Sequence, residues 1–397
     1  MAEWISKTLG EITLFITKGI PPKYVEEENQ NTVRVLNQKC NRNFEISYDE
    51  SRIHNALIKK VPEDKLLRYG DVLINSTGTG TAGRVAQLFN VPVPTTMDGH
   101  MILLRPIDGV DPLYYGYAVK SQQKKIESLA EGSTGQTEIN RQRLKDEIIV
   151  TFPKEKMLQK AIGKFLFQID EKIRNNKRIN NNLEQQAQTI FDRFYDSISG
   201  KICALSEVID IRDGTHDSPK TTDDGYPLVT SKHLLPFGVD ISSANIISKT
   251  DYDKINERSK VNTGDILISM IGTVGLISYV IDSPVEFAIK NVGLFKTSQS
   301  PSLDLYILYY LKNNSTKHHI EKCLAGSTQK YISLGELRKL PIVIPPQKEL
   351  GTYNSVIRPI VSKIALLVQE NKRLANIRDT LLPKLMSGEL DVSSIDL

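Results

Sequence analysis

The stretch GDVLINSTGTGTAGRV, residues 70–85, runs a short apolar segment into Gly78-Thr79-Gly80-Thr81-Ala82-Gly83. That is the G-x-G-x-x-G spacing with which dinucleotide-binding folds hold a pyrophosphate against a helix N-terminus. The motif works only if a helix starts directly after the third glycine. Residues 84–94 instead read as a second strand ending at Pro92 and Pro94. The stretch also recurs 194 residues later as GDILISMIGTVGLISYV from Gly264, where Gly272-Thr273-Val274-Gly275 breaks the spacing. The glycines are therefore read as a strand-to-strand turn, not a nucleotide cradle.

The recurrence extends outward. GSTGQTEINRQRLKDEIIVTFP from Gly132 returns as GSTQKYISLGELRKLPIVIPP from Gly326, and LGEITLFITKGIPP from Leu9 returns as LSEVIDIRDGTHDSP from Leu205. Several blocks in one order and at one spacing make the chain an internal repeat. Residues 1–150 and 201–344 mix short strand-like runs, such as Val72-Leu73-Ile74, Ile266-Leu267-Ile268 and Ile342-Val343-Ile344, with Gly, Pro, Ser and Thr loops. Each also carries one amphipathic helical pattern, over about 112–130 and 305–324. The expected class is α+β, with two similar globular domains.

After each domain the glycines thin out. Residues 151–200 and 345–386 read as long helices, with 387–397 as a tail. In the first, Ile162, Leu166, Ile169, Ile173, Asn176, Asn180, Leu183, Ala187, Ile190 and Phe194 alternate steps of four and three. In the second, Tyr353, Ile357, Ile360, Ile364, Leu367, Asn371, Leu374, Arg378, Leu381 and Leu385 do the same. A mean period of 3.5 is that of a coiled-coil seam. The apolar stripe needs a partner, and the other copy supplies one. Antiparallel pairing is expected, with the two domains at opposite ends of a rod. Asn180 and Asn371 take equivalent seam positions, where a polar residue fixes register or simply sits at a solvated edge.

Composition constrains function only loosely. At 397 residues, 40% hydrophobic, 25% charged and net charge +4, this is an ordinary two-domain chain that permits a polyanionic partner without requiring one. Cys40, Cys203 and Cys323 are isolated, which speaks against zinc sites and disulfides and for a reducing cytoplasm. No run approaches the ~18 apolar residues of a membrane span. Enzyme motifs also fail to assemble. Asp111-Pro112-Leu113-Tyr114 is one residue from the D-P-P-Y of adenine methyltransferases, but here and at Asp304 it reads as an Asp N-cap opening a helix. His216 and His318-His319 lack a nucleophile or acidic partner at readable spacing, and acidic pairs such as Asp213 with Asp217 are common in loops.

Two half-chain repeats, each a globular domain followed by a long helix, resemble the specificity subunit of type I restriction-modification enzymes. The resemblance covers essentially the whole chain. It rests on the G-D-[VI]-L-I blocks at Gly70 and Gly264, the G-S-T loops at Gly132 and Gly326, the strand-to-proline exits near Pro153 and Pro346, and Leu381-Leu382-Pro383-Lys384-Leu385-Met386-Ser387-Gly388-Glu389-Leu390. It implies that each globular part is a target recognition domain reading half of a split, asymmetric site in double-stranded DNA. The paired helices would be the spacer ruler, on which two methyltransferase subunits dock, with restriction motor-nuclease subunits joining for cleavage. S-adenosylmethionine, ATP and Mg would sit on those partners, leaving this chain non-catalytic and without a cofactor or membrane. The alternatives are a self-contained adenine methyltransferase and a coiled-coil scaffold without DNA readout.

Under that resemblance, Lys18, Lys23 and Lys220 are phosphate candidates, and Arg84, Arg141 and Arg143 are candidates for bidentate pairing with guanine. Thr77, Thr79 and Thr81 approach backbone or base edges from the glycine loop. Gln136 and, in the second domain, Ser231, Lys232, His233, Thr273, Gln329, Lys330 and Tyr331 complete the candidates. Ser133, Thr134, Ser327 and Thr328 recur in both copies, so they suit phosphate contact or folding; base reading suits residues that differ.

Overall fold

The computed structural model describes residues 3–132 and 137–390. It forms two compact units, and the division falls inside both long helices. One unit comprises residues up to Ile173 together with those from Arg373 onward; the other is Arg174–Lys372.

In the first unit an antiparallel sheet has the order Thr13–Lys18, Met101–Pro106, Val72–Asn75, Val85–Gln87. Val72–Asn75 is buried at every position, and its uninterrupted apolar run reflects cover on both faces. A second sheet runs Thr95–Met97, Thr32–Leu36, Arg52–Asn55, Tyr24–Val25, with its first two strands parallel. Trp4–Thr8 pairs with Ile149–Pro153 at the domain exit. The helices are α1 (Pro112–Ser121), α2 (Gln123–Ser128), α3 (Arg141–Glu147) and the long α4 (Lys156–Ser197).

The second unit repeats this plan. Its antiparallel sheet runs Ile211–Asp213, Val292–Phe295, Ile266–Ser269, Ile277–Tyr279. Its second sheet pairs Thr221–Val229 in parallel with Ala288–Ile289 and antiparallel with Asn245–Ile247, and Ile202–Ala204 pairs with Pro341–Val343. The helices are α5 (Lys249–Ser259), α6 (Asp304–Lys312), α7 (Asn314–Lys322), α8 (Leu334–Arg338) and the long α9 (Gln347–Ser387).

Three expectations need correction here. The single amphipathic helix of each domain is two helices, broken at Gln122 and Asn313. The first of each pair is not amphipathic: residues 114–119 and 304–311 are buried on every face, because the helix lies inside the core. Its tyrosines reach backbone or side-chain partners, as buried hydroxyls must. Tyr114 donates to the Thr151 carbonyl at 3.1 Å, and its counterpart Tyr306 to that of Val343 at 2.5 Å. Asp111 caps α1 by accepting from the Tyr114 N–H at 3.0 Å, but Asp304 is not a cap. It lies within the first turn of α6, after Leu303, and holds Arg358 at 2.9 Å and the Tyr279 hydroxyl at 2.9 Å.

The long helices pair antiparallel within each unit. In the first, Ile162 and Leu166 share a core with Leu382, Leu385 and Met386, and Arg378 reaches Asp170 at 2.6 Å. In the second, Asn176 donates to Asn371 at 2.9 Å and to Glu370 at 2.8 Å, while Phe194 stacks on Tyr353 with centroids 4.8 Å apart. The polar residue facing Asn371 is thus Asn176, one turn before Asn180. Ile169, Ile173, Ile357, Ile364 and Leu367 are buried on the seam, and Leu183, Ile360 and Leu374 are half-buried. Among the described residues no helix is long and apolar enough to cross a membrane.

Candidate nucleic-acid interface

The blocks that recur in sequence meet in space, in the same way in both domains. In the first, the glycine turn joins antiparallel strands Val72–Asn75 and Val85–Gln87, with positive φ at Gly78, Gly80 and Gly83. A Cβ at Gly83 would lie 2.6 Å from the Glu127 Cα, so the turn closes against α2 only without a side chain. The segment after the G-S-T loop docks on this turn: the Gly78 N–H donates to the Thr137 carbonyl at 3.2 Å and the Ile139 N–H to that of Ser76 at 2.8 Å. In the second domain the Gly272 N–H donates to the Lys330 carbonyl at 3.3 Å and the Ile332 N–H to that of Met270 at 2.9 Å.

A third segment joins each rim. The Gly19 N–H donates to the Met101 carbonyl and the Ile20 N–H to that of Met97; Gly214 and Thr215 make the same bonds to Val292 and Ile289. A Cβ at Gly19 or Gly214 would lie 2.1 Å or 2.2 Å from a backbone oxygen, so the backbones touch because the residue is glycine. Each domain therefore gathers three loops along one sheet edge.

In the first domain Thr79 is exposed at the turn tip, and Thr77 and Thr81 are half-buried. Thr77 Oγ1 lies 3.0 Å from His100 Nδ1, and Thr81 donates to the Thr77 carbonyl at 3.4 Å. Arg84 folds its guanidinium back onto the Gly80 carbonyl at 3.0 Å, bracing the turn. Lys23 is exposed, and Lys18 pairs with Glu138. Lys18, Glu138, Arg141 and Lys145 line an open cleft of about 630 Å³, with Arg141 exposed. Ser133, Thr134 and Gln136 lie outside the described residues.

Arg143 already has partners within the domain. It donates to Glu147 at 2.5 Å and pairs with Glu131, and the Glu147 hydrogen bond raises its pKa. Two carboxylates already occupy the fork, so bidentate guanine pairing would first require breaking both contacts.

In the second domain Ser327, Thr328, Gln329 and Lys330 are exposed on a tight loop that Ala325 and Tyr331 close with reciprocal 2.9 Å backbone bonds. Gly326 has φ +91° there, and Tyr331 is 43% exposed. Thr273 is exposed on the glycine turn, and its carbonyl accepts from Ser269 at 2.6 Å. Lys220 and Lys232 are exposed and Ser231 is half-buried. His233 is corrected: it is 2% exposed, its Nδ1 accepts the Thr230 N–H at 2.9 Å, and burial lowers its pKa. It is a pin inside the domain. His216, read as unpartnered, has its ring nitrogens 3.0 Å from Asp213 and 2.9 Å from Asn291.

In the near-methyltransferase tetrapeptide Tyr114 is fully buried and its hydroxyl is spent on the Thr151 carbonyl. Among the described residues no group of three or more His, Cys, Asp and Glu could hold a metal.

The family model described as the type I restriction modification DNA specificity domain matches the chain twice, over residues 1–185 and 201–376. The chain belongs to this family. The type I restriction enzyme MjaIX specificity subunit of Methanocaldococcus jannaschii is 25% identical over 418 residues, covering 99% of this chain and 95% of that protein. The MjaVIII specificity subunit of the same organism is 22% identical, with 99% and 94% covered. The crystal structure of the type I restriction-modification system S subunit from M. genitalium shares the fold, with a TM-score of 0.57 at 17% identity over 99% of this chain and 97% of that one. A specificity-subunit fold accounts for the duplicated rims.

Sequence reading missed one residue of the first rim. Gln38 donates to Thr77 Oγ1 from one side while its carbonyl accepts from Asn75 at 3.3 Å. The signal was present, since Asn37-Gln38-Lys39-Cys40 aligns with Thr230-Ser231-Lys232-His233 at an offset of 193.

Proposed function

We propose that the chain is the DNA-recognition subunit of a type I restriction-modification complex, each domain reading one half of a bipartite, asymmetric duplex site. The observation that carries this reading is one rim built twice on equivalent backbone hydrogen bonds but furnished with different side chains: Thr77 and Arg84 in one copy, Ile271 and Leu276 in the other. Equal scaffolds with unequal edges suit two half-sites of different sequence. Rim lysines hold phosphates, and residues that differ between the copies read base edges. Methyl transfer and cleavage belong to methyltransferase and restriction subunits that bring S-adenosylmethionine, ATP and Mg. Helices α4 and α9, shared by both units, set the spacing of the half-sites and receive those subunits in the cytoplasm.

The test is to map methylated adenines in DNA from cells carrying the chain with its partner subunits, and again with Thr77, Thr79 and Arg84 replaced by alanine. A split site is expected, and the variant should change or lose one half of it only. Continuous methylated sites, or equal damage to both halves, would refute the reading.

A further inference from the structure

We infer that Lys39 and Lys232 are one functional residue present twice, a DNA phosphate anchor at the same point of each recognition domain. This rests on the DNA-recognition reading above and names a contact within it. The two lysines sit at the middle of matching three-residue turns, Gln38–Cys40 and Ser231–His233. Both turns start from an extended residue, Asn37 at φ −131°, ψ 177° and Thr230 at φ −126°, ψ 179°. Both close with a 3.0 Å bond from the third N–H to that residue's carbonyl.

The third residue is pinned inward each time. Cys40 and His233 are 1% and 2% exposed, and each accepts the N–H of the residue that opens the turn, Asn37 to Sγ at 3.5 Å and Thr230 to Nδ1 at 2.9 Å. A thiol and an imidazole thus do one structural job. With the third side chain fixed inside, the second is held outward. Lys39 is 73% exposed at the side chain, with Glu50 only at 3.8 Å, and Lys232 is exposed.

Topology brings both turns to the rim. Thr32–Leu36 and Thr95–Met97 are parallel, so they leave the sheet on the same edge, where His100 accepts the Ser76 N–H at 2.8 Å beside the glycine turn. Thr221–Val229 and Ala288–Ile289 leave together likewise, and Asn291 accepts the Met270 N–H at 3.4 Å.

Across residues 34–40 and 227–233 the lysine is the only identity. Two domains that read different bases meet the same sugar-phosphate chain, so a side chain kept while its neighbours differ suits the phosphate. A compact ammonium also binds phosphate as a point charge without demanding base geometry.

The experiment uses the full chain purified with its methyltransferase partners and a duplex bearing its methylated site. Affinity is measured against salt for Lys39→Gln, Lys232→Gln and the double variant. Each single change should reduce the log–log slope by about 0.9 and the double by about 1.8, with the methylated bases unchanged and the slope restored by Lys→Arg. An unchanged slope, or a changed methylated sequence, overturns the inference while leaving the DNA-recognition reading standing. Failure of the unsubstituted complex to bind DNA removes both.

Discussion

Arg378 donates from Nη1 to Asp170 Oδ1 at 2.6 Å, and the other oxygen of that carboxylate accepts the Tyr117 hydroxyl at 2.6 Å. One carboxylate, 6% exposed at the side chain, thus ties α9, α4 and α1 together within the first unit. Removing it takes one of two carboxylate partners from Arg378, which keeps Asp379 at 2.8 Å, and an acceptor from the buried Tyr117 hydroxyl. Asp170→Ala is expected to cost about 3 kcal/mol, read as a fall in the urea midpoint of the first unit. Asp170→Asn keeps an acceptor for Tyr117 and should cost less; equal losses would show that the neutral acceptor contributes nothing and that the charge carries the whole effect.

Glycine in a helix is ordinarily a weakness, and replacing it with alanine adds up to about 1 kcal/mol. Gly163 in α4 should behave in the opposite way, because a Cβ there would lie 2.6 Å from the Tyr114 N and 3.1 Å from Leu113. Gly163→Ala is expected to destabilise by about 1–3 kcal/mol through overpacking. Gly351 in α9, with nothing within 4 Å of such a Cβ, should show the ordinary gain. Thermal melts of the two variants should therefore move in opposite directions.

Burial lowers the His233 pKa below its ordinary 6.5, so the folded second domain prefers the neutral ring. Linkage then gives the sign: the contribution is fully present above about pH 6.5 and is lost as pH falls from there through the lowered folded value. His233→Cys copies the residue that its counterpart turn already carries at Cys40. It should flatten the loss of stability on acidification below pH 6.5, measured by urea midpoints at several pH values. A decline as steep as in the parent chain would place the sensitivity elsewhere.

If α4 and α9 set the spacing of the half-sites, seven residues inserted into each at facing seam positions should lengthen the methylated spacer while leaving both half-sites unchanged. Seven residues preserve the 3.5-residue period, so the seam stays in phase. An unchanged spacer in the mapped methylome would show that the helices do not measure it.

The duplicated blocks made much of the fold readable. Gly70 and Gly264 announced equivalent strands, and the four-three steps from Ile162 and Tyr353 announced the long helices. The stagger of those helices was not readable, because a seam pattern fixes which face is apolar but not which turn meets which. That Asn176 is the residue facing Asn371 is such a detail. The breaks at Gln122 and Asn313 carry no proline or glycine to announce them. At the rim, the Glu147 partner of Arg143 was visible at four residues' separation, but Glu131 arrives only through folding. Whether a histidine such as His233 faces inward depends on the sheet beneath it, which no local pattern records.

The first unit's core includes Leu382, Leu385 and Met386 from the end of α9, and Gly388, at φ +78°, lies beneath the Trp4 ring. Residues from opposite ends of the sequence thus complete one hydrophobic interior. On the ribosome the first unit must wait for the end of α9, while the second unit, Arg174–Lys372, can close earlier. A chain that stops short of Leu382 would injure the domain synthesised hundreds of residues before the break, and proteolytic sensitivity should appear there first.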